Sequence, residues 1–199
     1  MDVLNTRVQF EETIKGSRFL SELIPCSSQS QARDLIKEQK QKYADSTHVV
    51  HAFITGQAAE VLGMSDDGEP SGTAGRPALD VLKGRGCTNT LLTITRWFGG
   101  TLLGTGGLVK AYSNGAREVI AKADSLNAFE PFIQKSDFSF TCDYALHKTV
   151  KKSMENFNLY DVKEEFTEGV KIYGKIAAEE AQNFSKLLKE ISNGKIDLA

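Results

Sequence analysis

An α+β fold in two domains is predicted by three observations. The chain opens with a β-hairpin pattern rather than a βαβ unit, strands and helices then follow in mixed order, and from Gln134 a compositionally different segment reads strand, helix, strand, strand, helix. The domains are placed at residues 1–133 and 134–199. With 199 residues, 40% of them hydrophobic and 25% charged, the chain falls in the ordinary globular range and can bury a core.

VLNTRVQFEETI and SRFLSELIPC are runs around the turn dipeptide Lys15-Gly16 and predict the hairpin. Ser28 with Gln31 resembles a capping box, and Ala32, Leu35, Ile36 and Tyr43 share one face of the helix that follows. Thr47 to Thr55 and Ala59 to Met64 read as a strand pair turning near Gly56-Gln57, and an acidic turn, Asp66-Asp67-Gly68-Glu69-Pro70, comes next. Pro77 suits only a first helical turn and Gly84 or Gly86 only an exit, so the helix carrying Leu79, Val81 and Leu82 is short. Thr88 to Trp97 is apolar on both faces toward its middle, as a central strand should be. Residues 98–107 form a glycine loop. The next helix turns Leu108, Ala111, Tyr112, Ala116, Val119 and Ala123 inward and Lys110, Asn114 and Arg117 outward. A strand from Leu126 to Ile133 closes the first domain.

In the second domain the elements are Asp137–Cys142, Tyr144–Asn158, Tyr160–Thr167, Val170–Ala177 and Glu179–Ser192, with Gly169 at the hairpin turn. This βαββα order is most of a ferredoxin-like unit, its final strand short or missing.

Cys26, Cys87 and Cys142 form neither a CxxC pair nor an even disulfide framework, which fits a reducing cytosol. An acidic N-terminus and the lack of a long apolar run predict a cytoplasmic protein that is neither exported nor membrane-inserted. The net charge of −2 is unevenly spread: residues 76–122 hold seven Lys/Arg against two Asp/Glu, a local +5. Such a basic segment is a candidate anion or nucleic-acid surface.

Glycine is densest between residues 66 and 115, where a close approach of backbone or ligand is the physical reason to tolerate it. Gly99 and Gly104 have the outer spacing of a Walker A loop, but Thr105-Gly106 replaces the Lys-Ser/Thr that would hold phosphate and magnesium. Gly104-Thr105-Gly106 starts a dinucleotide fingerprint that Val109 breaks, so no nucleotide cofactor is expected. What remains is a strand, a glycine loop (Gly99, Gly100, Gly104, Thr105, Gly106, Gly107) and a helix N-terminus: an anion site, or a tight crossover in which the glycines only permit packing.

Asp66, Asp67 and Glu69 could converge on a hard cation, or could simply brace a turn and pair with Arg76 and Arg96; turn chemistry favours the brace. His48 and His51, three apart on a strand, face opposite ways and cannot share a metal. His147 has no ligand set around it, and Cys87 has no base. Trp97-Phe98 could stack a base or close the core. No catalytic residue, metal or cofactor is assigned.

With these residues assembled, SRF at 17–19, Asp45-Ser46-Thr47-His48, SDDGEPSGTAGRP at 65–77 and TRWFGGTLLGTGGLVKAYS at 95–113, the chain resembles the IMPACT family and its bacterial YigZ-type members. The resemblance departs at Val49-Val50-His51, where the family tends to have Asn-Cys and an aromatic residue. It implies an N-terminal domain of the ribosomal-protein and elongation-factor kind with an unusual βαβ crossover, followed by a ferredoxin-like domain. It also implies a translation-associated role. Eukaryotic relatives regulate initiation by competing for an activator of the kinase that senses uncharged tRNA, through an extra domain absent here.

The leading expectation is a non-enzymatic protein that binds RNA or a ribosomal surface and regulates translation. Arg76, Lys83, Arg85, Arg96, Lys110, Asn114 and Arg117 would meet the nucleic acid. The loop Asp66, Asp67, Gly68, Glu69, Pro70 and Gly72 would serve as the family-motif turn. Two alternatives stand beside it: a protein-interaction module in a stress-response pathway, and a metal-dependent hydrolase or transferase acting on a phosphorylated small molecule through Asp66, Asp67 and Glu69.

Overall fold

The computed structural model describes residues 1–198. Two compact units divide the chain between Phe132 and Ile133.

The first unit is built on a five-stranded antiparallel sheet. In chain order its elements are β1 (Asp2–Leu4), β2 (Val8–Ile14), β3 (Ser17–Pro25), α1 (Gln29–Lys42), β4 (His48–Thr55), β5 (Val61–Ser65), α2 (Gly75–Arg85), β6 (Cys87–Thr88), β7 (Thr90–Trp97), α3 (Gly104–Ser125) and β8 (Phe129–Pro131). The main sheet has the order β2-β3-β7-β4-β5. Both β3 and β4 are antiparallel to β7, so they run parallel to each other with β7 between them and α1 as the crossover. The central position expected for the Thr88–Trp97 segment follows from burial on both faces: Leu92 and Ile94 join the core under α2 and α3, while Leu91 packs with Ala32 of α1.

Several boundaries differ from the sequence expectation, among them the last strand of this unit, Phe129–Pro131 where Leu126–Ile133 was expected because α3 runs on to Ser125. The first strand is interrupted between β1 and β2, and β1 leaves the main sheet to lie between β6 and β8. Asn89, at φ +52°, breaks the central segment into β6 and β7, a left-handed residue that polarity patterning does not reveal. The glycine loop ends early, because Gly104, Gly106 and Gly107 already lie in the first turn of α3. Ser28 does cap α1 through the Gln31 N–H, but Gln31 returns its side chain to Ser27 N and Oγ, one residue before a capping box would have it. Pro77 sits in the first turn of α2, and Gly86 ends that helix at φ +72°, a left-handed C-terminal residue for which glycine has no steric cost.

The second unit has the βαββα order: β9 (Lys135–Cys142), α4 (Tyr144–Met154), β10 (Leu159–Phe166), β11 (Val170–Ala177) and α5 (Ala181–Ile191). Its sheet order is β10-β11-β9, all antiparallel, with no fourth strand among the described residues. Alternate residues Phe138, Phe140, Ile172 and Ile176 bury against Val150 of α4 and Phe184 of α5, so both helices cover one face of a ferredoxin-like sheet.

Candidate functional site

Each carboxylate of the acidic turn is held by a different set of internal donors. Asp66 accepts from the backbone N–H groups of Gly72 (2.9 Å), Ala74 (3.0 Å) and Gly75 (2.8 Å), so it caps α2, whose own N-cap residue, Ala74, has no side chain to do so. Partial burial would raise this carboxyl, but the three N–H donors outweigh it and hold Asp66 below the ordinary carboxylate value. Asp67 turns toward α1, where it pairs with Lys40 and accepts from Val49 N at 2.7 Å. Its desolvation is likewise outweighed, by Lys40 and the Val49 N–H, and its pKa is lowered. Among the described residues no three His, Cys, Asp or Glu side chains converge as metal ligands.

Glu69 points the other way, into the core. It is 7% exposed, and its Oε1 accepts from Arg96 Nη1 and from the Tyr112 hydroxyl, both at 2.7 Å. Arg96, 5% exposed, also donates from Nη2 to Ser17 Oγ at 3.3 Å. The pairing of Arg96 with the acidic turn was expected; its burial was not, and Arg96 is unavailable as a surface phosphate contact. Strand geometry explains the burial, since Arg96 lies on the same face of β7 as Leu92 and Ile94. Burial, followed by the neighbouring Glu69 carboxylate, drives the Tyr112 hydroxyl pKa far upward, so it is a fixed donor.

His48 lies on this face of β4 and His51 on the other, as their spacing requires. His48 Nδ1 is 2.8 Å from the Asp67 carbonyl oxygen, which can only accept, so Nδ1 carries a proton and donates it there. The ring's Nε2 stands 3.8 Å from Glu69 Oε2. His51 is partly buried between the sheet and α1, and burial, then Lys40, lowers its pKa.

Beside this network lies a cavity of about 460 Å³. His48 and Glu69 line it together with Phe98, Leu102 and the first residues of α3, Gly104 and Thr105. Leu103 precedes α3 without a side-chain cap, leaving the first N–H groups of the helix to the cavity's mouth. Phe98 is 47% exposed. Trp97 is not presented for stacking: its Nε1 donates to Asp45, Arg18 covers its ring at 3.7 Å, and Tyr43 meets it edge-on. Gly99 does have a packing role. A Cβ there would collide with the backbone of Gly16 and Ser17, where the β2–β3 turn meets the loop after β7.

The other predicted contacts separate by partner. Arg85 is held by Asp2 and Asp124 (both 2.9 Å) and lies over Phe129, which makes it a tie between β1, α3 and β8. Arg76 pairs with Asp80 one helical turn on, both groups in solvent, and not with the acidic turn. Asn114 donates to Glu12. Lys83, Lys110 and Arg117 are exposed and have no carboxylate partner among the described residues. Lys110, Asn114 and Arg117 border a groove of about 410 Å³ to which Lys15 also contributes, a residue read from sequence only as part of a turn.

Residues 15–120 match the Impact N-terminal domain, and residues 140–195 match a domain of unknown function, DUF1949. An IMPACT family member from Haemophilus influenzae is 33% identical over 98% of this chain and 93% of its own length. The chain belongs to the IMPACT family. The IMPACT family member YvyE of Bacillus subtilis is 31% identical over 96% of this chain and 86% of its own. The crystal structure of a hypothetical protein, 28% identical, superposes with a TM-score of 0.75 over 99% of this chain and 95% of the other. In this IMPACT chain the segments 65–77 and 95–113 are brought together by Glu69, Arg96 and Tyr112, with His48 alongside. Sequence reading placed Tyr112 in the core but gave no sign of its partner, 43 residues away. No helix of the described residues is long and apolar enough to cross a membrane.

Proposed function

We propose that this IMPACT-family protein is a non-catalytic, translation-associated protein that docks on structured RNA, free or in the ribosome, through the exposed side of α2 and α3. The observation that carries the reading is the groove bordered by Lys15, Lys110 and Arg117, with no carboxylate in its lining. Lys110 and Arg117 are two turns apart on α3, roughly 10 Å at 1.5 Å per residue, a spacing that can follow successive phosphates. Lys83 extends the same sign along α2. Arg96 and Arg85 have structural roles in this reading, and Arg76 contributes only in competition with Asp80.

Anisotropy of a labelled RNA hairpin titrated with the full chain over a salt series tests it. Phosphate contacts release counterions, so affinity should fall steeply with salt, and Lys110→Glu or Arg117→Glu should weaken binding and flatten the log–log slope by about 0.7 to 0.9 for each phosphate no longer neutralised. Binding indifferent to salt or to both reversals refutes the surface. Ribosome co-sedimentation with the same variants then distinguishes free from ribosomal RNA.

A further inference from the structure

In the second unit α4 and α5 cover one face of the β10-β11-β9 sheet, and no helix of this unit covers the other. The register assigns that open face. On β11 it carries Lys171, Tyr173 and Lys175, which alternate with the buried Val170, Ile172 and Ile176. Directly opposed residues share a face, which adds Asp137, Ser139 and Thr141 of β9 and Tyr160, Lys163 and Glu165 of β10. Lys135 joins them, its ammonium 3.7 Å from the centre of the Tyr160 ring. All four lysines are exposed, and none makes an ion pair among the described residues. Of the two carboxylates on the face, Glu165 accepts from the Tyr173 hydroxyl at 3.0 Å and Asp137 stands opposite Lys175. Residues 133–199 hold ten lysines against eleven Asp and Glu. The open face therefore reverses the sign of its unit, even with Asp161 of the adjoining β10 bulge counted. Lys163, Lys171, Lys175 and Tyr173 line a cavity of about 420 Å³ there, shared with Asp137 and Asp161.

Across this face each ring has cations beside it. Tyr173 has Lys171 and Lys175 two residues away on its own strand, roughly 7 Å to either side, and Lys163 directly across. Tyr160 has Lys175 across and Lys135 over its ring. Unpaired bases stack on aromatic side chains while the phosphates between them take up flanking cations; a duplex keeps its base faces to itself. We propose that this open sheet face is a second RNA site, separate from the groove beside α3 and selective for single strands. The inference rests on the RNA reading above for its choice of nucleic acid. An acidic protein segment would satisfy the lysines and leave the two rings unused.

The test is the anisotropy of a labelled oligouridylate, a strand without stable pairing, titrated with the full chain. Lys163→Gln and Lys175→Gln should each lower affinity about threefold or more and flatten the log–log salt slope by about 0.7. Asp137→Asn should raise affinity several-fold, a gain that damage to the fold cannot mimic. Tyr173→Ala should weaken the oligouridylate by about fivefold or more, the low end of what one stacked base contributes. Inorganic polyphosphate has phosphates without bases, so its affinity should not change in that variant, and Tyr173→Phe, which keeps the ring, should bind RNA as the wild type does. Affinity unmoved by both lysine variants, an equal loss of polyphosphate and oligouridylate in Tyr173→Ala, or an oligoglutamate of matched charge competing as well as RNA overturns the proposal. If hairpin binding still depends on Lys110 and Arg117 in that case, the sheet face alone is refuted and the groove beside α3 stands. If only the sheet variants weaken RNA, the groove is refuted and the sheet face stands.

Discussion

Arg96→Met strands a carboxylate. In the wild-type chain the Arg96 and Glu69 side chains are 6% and 3% exposed, and Glu69 is stabilised by one guanidinium and one phenol. Substitution removes the guanidinium and leaves only the Tyr112 hydrogen bond, a loss expected to cost about 3–5 kcal/mol, as when one member of a buried ion pair is deleted. With a urea dependence of about 2 kcal/mol per molar, the midpoint should fall by roughly 2 M. Trp97 is the chain's single tryptophan and belongs to β7, so selectively excited tryptophan fluorescence follows this unit alone. The double variant Arg96→Met with Glu69→Leu removes both charges and leaves the Tyr112 hydroxyl unpaired at a cost of about 1–3 kcal/mol. It should therefore be more stable than Arg96→Met alone. A shift below about 0.5 M for the single variant, or a double variant less stable than the single, would refute the description of Arg96 and Glu69 as a mutually dependent buried pair.

Gly99→Ala should destabilise by about 1–3 kcal/mol or more, because the new methyl group meets backbone, whereas Gly106→Ala, with open space around its Cβ and a helical backbone, should be neutral or stabilise by up to about 1 kcal/mol; thermal melts give the signs. Asp66→Ala should cost about 0.5–2 kcal/mol by uncapping α2. Because Asp66 and Asp67 are held below their ordinary value of 3.8, their contribution is complete above that pH and is lost as pH falls through their lower folded values, and Asp66→Ala should flatten this acid limb in melts between pH 5 and pH 2. Burial raises the thiol pKa of Cys26, Cys87 and Cys142, so a thiol reagent at pH 8 should label the native chain slowly and all three cysteines rapidly once it is unfolded.

What could be read from the sequence was whatever leaves a local mark. The β7 run is apolar on both faces, Pro77 and Gly86 bracket α2, and the turn dipeptides around Asp66 pointed to a brace. The break at Asn89 leaves no such mark, since one left-handed residue does not disturb the polarity pattern. Arg96 illustrates a signal that was present but outweighed. Counting by two from Leu92 and Ile94 places it inward, yet its charge suggested the surface. The partners of Glu69 come from β7 and α3, and only tertiary structure joins them.

The placement of β1 has a kinetic consequence. Val3 pairs with Thr88 on one side and Glu130 on the other, so this strand joins the beginning of the unit to its end. The pairing with Glu130 closes nearly the whole unit into one loop, and contacts of such high sequence separation form late. The helices and the main sheet can therefore assemble while β6 and β8 still have bare edges. Those edges are open to strands from neighbouring chains until β1 pairs with them. During synthesis β1 is made first and can pair with β6 once residue 88 has emerged, but its pairing with β8 waits for residue 132, so that edge is the last of the unit to close.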